Sequence, residues 1–177
     1  TFTTVPSAPS AINSIDVATL AGRNLVALGC ATGAFYFDEA DPFYAVAPIA
    51  TTPLTGNIQA VAFAPDFGTS RGLAAFDGTT GIMHFIVFGG AWDASISAAA
   101  TAGATTSAAI HYTNDWNIVT NPRFYFATSR GVYAFTGVLA PTASVALLLT
   151  TSATLPSSFG TANAVSLDVA GSTTSST

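Results

Sequence analysis

The chain has 177 residues, half of them hydrophobic, enough for one domain with its own core. Four Arg and no Lys stand against nine acidic residues, giving a net charge of −5 and a sequence pI near 4.4; this excludes the basic footprint of a nucleic-acid binder. Apolar residues come in short runs rather than the roughly 18–20 in a row that span a bilayer as a helix, so membrane insertion is not expected.

Helix formers are scarce, with Glu39 the single glutamate and Gln59 the single glutamine, while Thr, Ser, Val, Ile and Phe suit strands and tight turns. An all-β chain is therefore expected. Residues 1–8 read as an extended segment. The alternating run "NSIDVAT" (13–19) then gives a first strand and "NLVALGC" (24–30) a second. A third runs from Gly33 to Phe37, and a fourth centres on Val46. The same series returns as "QAVAFAP" (59–65), "GLAAFDG" (72–78), Gly81 to Phe85 and a run around Ile96. It returns again as "AAIHYTN" (108–114), "RFYFATS" (123–129), Gly131 to Phe135 and a run around Val145. Ile15, Val61 and Ile110 are 46 and 49 residues apart and the three glycines 48 and 50, so the landmarks keep step. "VSLDVAG" (165–171) repeats "NSIDVAT" and opens a fourth unit whose glycine would fall beyond Thr177.

Four short strands in about 50 residues is the size of one β-propeller blade. The expected fold is a propeller-like array of about three four-stranded blades, 9–56, 57–108 and 109–160, with 161–177 the first strand of an incomplete fourth and a Ser/Thr tail. Third-strand residues are apolar on both faces, as sheets packed on both sides require. Gly33, Gly81 and Gly131 are assigned to the turn entering that strand, and Phe37, Phe85 and Phe135 to equivalent buried positions between blades. Three blades and a fraction leave unpaired edges, so the expected partners are other copies of the chain or the rest of a longer one.

The stretch "VAFAPDFGTSRGLAAFDGTTGIMHFIVFGGAW" (61–92) resembles a blade of bacterial extracellular propellers of the sialidase-type, Asp-box group, and more distantly a WD-repeat blade. "FGGAW" keeps Gly90 and Trp92 of the Asp-x-Gly-x-Thr-Trp turn, with Phe88 in place of the Asp and Ala91 in place of the Thr. The pattern extends over roughly residues 9–170, and it implies a propeller fold.

Arg23, Arg71 and Arg123 each open the second strand of a unit, which would set them on one rim, together with Trp92 and Trp116. The resemblance implies a carboxylate-binding arginine trio there; the plainer reading is loop arginines pairing nearby acids such as Asp66. With Glu39 the only glutamate, no Tyr/Glu nucleophile pair is available, and no enzyme or cofactor is expected. Asp38, Glu39 and Asp41 in "FDEADPF" suit either a calcium loop or a solvated turn. His84 and His111 have no partner at metal-ligand spacing and read as ordinary strand histidines. Cys30 is alone, so no internal disulfide forms, and it reads as a small buried thiol. Trp92, Trp116, Tyr112 and Tyr133 suit a sugar-stacking surface or core packing. The small-residue stretches 96–109 and "AGSTTSST" read as surface, open to O-glycosylation or acting as linkers.

Nothing in "TFTTVPSAPS" resembles a signal peptide, and an already processed extracellular or cell-surface chain is expected. The functional expectation is a non-enzymatic structural or self-assembling surface protein, such as a surface layer or filament. A glycan- or protein-binding propeller and, behind it, a sialidase-type hydrolase are the alternatives.

Overall fold

The computed structural model describes residues 9–43, 45–50, 52–92, 108–128, 131–136 and 144–150. Within them the chain is all-β, apart from one helical turn. The strands are β1 (Ile12–Leu20), β2 (Arg23–Cys30), β3 (Gly33–Asp38), β4 (Ala47–Pro48), β5 (Ile58–Phe63), β6 (Gly72–Asp77), β7 (Ile82–Val87), β8 (Ala108–Tyr112), β9 (Phe124–Thr128), β10 (Gly131–Thr136) and β11 (Ser144–Thr150). They form three antiparallel meanders, β1-β2-β3-β4, β5-β6-β7 and β8-β9-β10-β11, one for each sequence unit. The fourth-strand run around Ile96 and the repeat at 165–171 lie outside the described residues.

The first strands lie side by side, β1 against β5 and β5 against β8. Sheet β5-β6-β7 is consequently covered on both faces. On one, Ile58, Val61, Phe63, Leu73, Ala75 and Ile86 pack on Leu25, Ala27 and Ala34 of the first sheet. On the other, Ala60, Ala62 and Ala74 leave room for the large rings of Tyr112, Phe124, Phe126, Tyr133 and Phe135 of the third, with Phe76, Met83 and Phe85 between them. A central strand such as β6, buried at every position, is what its run "GLAAFD" encodes.

The helical turn α1 (Phe67–Ser70) was not anticipated from the composition. It follows the Pro65-Asp66 turn and is anchored by buried Phe67, whose ring lies 4.4 Å from Phe63 and 5.8 Å from Phe88. It stops at Arg71, which takes a left-handed conformation (φ 55°) and donates its N–H to the Phe67 carbonyl.

The three phenylalanines are not equivalent, which corrects the register read from sequence. Phe37 pairs with Val26 and Phe135 with Phe124, counted from hairpins in which Gly33 and Gly131 are the first ladder residues. In the middle sheet Asp77 pairs with Ile82, so Gly81 stays in the turn and β7 is displaced by one position. A one-residue displacement sends each side chain to the opposite face. Phe85 therefore points toward the third sheet and Phe135 back toward the second, joined through the Phe124 ring. Both are fully buried, whereas Phe37 is half-buried against Val26 and Leu28 on the outer face of the first sheet, where no further described sheet covers it.

Candidate functional site

Two surface features bring polar groups together. The larger is a groove of about 580 Å³ along the first strands, lined by Asn13, Ser14, Asp16, Gln59, His111 and Asn114 among others. Its walls are tied by side chains of β1 that bond the outward backbone edge of β5. The Val61 N–H donates to Ser14 Oγ (3.1 Å), the Phe63 N–H to Asp16 Oδ2 (2.7 Å), and Asn13 Nδ2 to the Ile58 carbonyl (3.0 Å). The second Asp16 oxygen accepts the N–H of Val17 at 2.9 Å, so one carboxylate bridges two strands. Burial raises the Asp16 carboxyl above its ordinary range, against the pull of those two N–H groups. Burial, followed by the Asp16 and Asp66 charges, pushes the Tyr112 phenol well above its ordinary value, so it stays protonated.

The second feature is a cleft of about 300 Å³ where Arg23, Arg71, Tyr36, Phe88 and Asp38 meet. Two of the three predicted rim arginines are thus brought together. Arg23 pairs with Asp38, while Arg71 and Arg123 make no ion pair among the described residues. Asp66 accepts instead from Ser70 Oγ at 2.6 Å. All three arginines are exposed, but the tryptophans are not on a rim with them. Trp116 is 4% exposed and packs edge-on to Tyr112 at 5.1 Å, and Trp92 is half-buried beside His84. Tyr112 and Tyr133 are likewise core residues of the interface between the second and third sheets. Trp116, Tyr112 and Tyr133 thus pack in the core, and Trp92 lies partly buried against the cluster between the first and second sheets.

The carboxylates of the acidic loop each have a partner within the chain. Asp38 accepts from the Ala40 N–H and faces Arg23, Glu39 accepts from Asn24, and Asp41 closes a turn on the Phe43 N–H. Among the described residues no three His, Cys, Asp or Glu side chains are grouped to hold a metal ion. Cys30 is a buried thiol at the end of β2.

One buried polar cluster escaped the sequence reading. Asp77 is 3% exposed at the end of β6, and its carboxylate accepts from the Thr79 N–H (2.8 Å) and Thr80 Oγ1 (2.7 Å) while Gly56 packs against it. Its signal was the Asp-Gly-Thr-Thr-Gly turn at 77–81, in which a short acceptor at the first position closes the following residues. His84 sits within the field of Asp77 and edge-on to Trp92 at 6.1 Å. Burial lowers the His84 pKa below 6.5, and the Asp77 charge offsets this only in part.

A pH dependence follows. The folded state binds the His84 proton less tightly than the unfolded state, so the neutral imidazole contributes stability that is complete above about pH 6.5 and is lost as pH falls toward its folded pKa. Urea denaturation between pH 7.5 and 5 is expected to show that loss, and His84→Gln to flatten the curve. An unchanged slope in the variant would assign it to another group.

Comparison with family models, with curated proteins and with solved structures finds no match.

Proposed function

We propose that the chain is a non-enzymatic, self-assembling structural protein of a cell surface, its three sheets acting as blades of the β-propeller type. The observation that carries this reading is the open row of sheets. The meanders follow one another with their first strands adjacent, and the row begins with a face on which Ile12, Ile15 and Val17 are 52%, 62% and 53% exposed. Apolar area of this kind at the end of a repeat array favours association with another blade. A chain in which only 7% of residues are charged offers little repulsion against it.

A glycan- or protein-binding module is the second reading. It draws on the Arg23/Arg71 cleft, where Tyr36 and Phe88 supply aromatic wall and Arg71 a cation with no ionic partner among the described residues. Electron microscopy of native material separates the two. Ordered sheets or fibres are expected. Dispersed particles that are retained on an acidic-glycan array, and lose retention with Arg71→Ala, would replace assembly by binding.

A further inference from the structure

Ser14 and Asp16 complete the outward edge of β5, and the next interface along the row lacks their counterparts. Ladder register aligns β1 with β5, since Ile12 and Ile58 are each followed by a bulge; Ser14 and Asp16 then correspond to Ala60 and Ala62. The turns after β5 and β8 align as well. The Phe67 N–H donates to the Ala64 carbonyl as the Trp116 N–H does to the Thr113 carbonyl, both at 3.0 Å. Ile110 and Tyr112 of β8 therefore hold the places of Val61 and Phe63 in β5. The Val61 and Phe63 N–H groups point away from β6 and are taken up by Ser14 and Asp16 across the gap. Across the gap from β8 stand Ala60 and Ala62, whose methyl groups accept nothing. Among the described residues neither the Ile110 nor the Tyr112 N–H has a side-chain acceptor. The groove of about 580 Å³ lies where those caps are missing, with Ala60, Ala62, Ile110 and Tyr112 in its wall. The phenol oxygen of Tyr112, a residue 6% exposed, has no hydrogen-bond partner either.

We propose that this groove binds a neutral sugar, whose hydroxyl oxygens accept the N–H groups of Ile110 and Tyr112 as Ser14 and Asp16 accept those of Val61 and Phe63. The interface between the first two sheets shows the complement that such an edge takes: oxygen acceptors two residues apart. Charge selects among oxygen-rich ligands. Asp16 lies in the groove wall, the Asp66 charge reaches Tyr112, and no arginine lines the groove among the described residues, so an anion is repelled. A metal cation is poorly served, because both Asp16 oxygens already hold backbone N–H groups. Hydroxyl groups both donate and accept, and the side-chain amides of Gln59 and Asn114 on the same groove do the same. The alanine methyls give apolar surface for the C–H face of a sugar ring, in a volume typical of small-molecule sites. The bonds from β1 to β5 hold one wall in place before any ligand arrives. The groove shares no lining residue with the Arg23/Arg71 cleft, and it does not depend on self-assembly.

Isothermal titration of the full chain with glucose, galactose, mannose, N-acetylglucosamine, maltose and lactose tests the site, with glucuronate as the anionic control. Binding of at least one neutral sugar is expected. Gln59→Ala/Asn114→Ala, which removes two amides from the rim, should weaken it about tenfold, and Arg71→Ala should leave it unchanged. Ala60→Ser/Ala62→Asp transplants the caps of the preceding interface into this one and is expected to abolish binding. Amide exchange followed by NMR reads the same geometry in the unaltered chain, so the test stands even where that last variant does not fold. The N–H groups of Ile110 and Tyr112 should exchange faster than those of Val61 and Phe63, and slow when the sugar is added. A panel in which no neutral sugar binds, preference for glucuronate over glucose, affinity unchanged by the rim variant, or exchange at Ile110 and Tyr112 unmoved by bound sugar would each overturn the site. Native material that forms ordered sheets alongside any of these results would leave self-assembly standing. A dispersed chain that binds sugar in the groove would do the reverse.

Discussion

Phe85→Ala is expected to lower the free energy of unfolding by roughly 3–5 kcal/mol, a large share of the 5–15 that hold a typical domain. The ring has no exposed surface and stands between Trp116 and Phe124, with Gly72 so close that a Cβ there would come within 2.8 Å of it. Its removal leaves a cavity in the interface between two sheets whose neighbouring rings are held by ladders and cannot collapse into it. Phe37→Ala is the matched comparison. That ring is half-buried on the outer face of the first sheet, and its loss should cost well under half as much. Urea titrations with unchanged m-values decide the matter. Equal losses would place both rings in the same environment and refute the one-residue displacement of β7.

Gly33→Ala is expected to be the second most damaging change, at about 2 kcal/mol or more. Gly33 has a φ of 152°, which L residues rarely adopt, and a Cβ there would strike the carbonyl oxygen of Leu54, a backbone atom that cannot rotate away. Gly22→Ala isolates the conformational part, since Gly22 has a φ of 77° with open space around it. Thermal or urea denaturation should find Gly22→Ala the milder of the two. A Gly33→Ala chain no less stable than Gly22→Ala would mean that the Leu54 carbonyl is free to move.

The sheets were legible in the sequence because period-two alternation and turn residues mark antiparallel strands directly, and Gly33 and Gly131 begin their strands as the spacing required. The displacement at Gly81 was not legible. "ATGAFYF" and "TTGIMHF" look alike, but the ladder starts at Gly33 in one and at Ile82 in the other, a difference set by which residue the buried Asp77 carboxylate holds in the turn. The tryptophans were misplaced for a similar reason. An aromatic in a loop such as "NDWNIV" has no periodicity to assign it a face, and Trp116 folds inward onto Phe85 and Tyr112. Of the polar residues, Ser14 and Asp16 were visible as a repeated motif. Their action on a neighbouring strand's amides depends on how two sheets meet, which no spacing within one strand encodes.

Cys30 offers a way to watch a single sheet let go. The chain has one cysteine, and it lies at the hairpin end of β2 with no exposed surface, paired to Ile12 on one side and Gly33 on the other. Its thiol packs with Val26, Leu28 and Phe35 on the outer face of the first sheet, so a reagent reaches it when that face opens. Under conditions where closing outruns labelling, the alkylation rate therefore measures the free energy of that local opening rather than of global unfolding. If the first sheet frays from its uncovered face while the middle sheet holds, labelling will proceed faster than the stability of the whole chain allows. Anything that seats against Ile15 and Val17 will then slow the reaction at a sulfur atom it never touches.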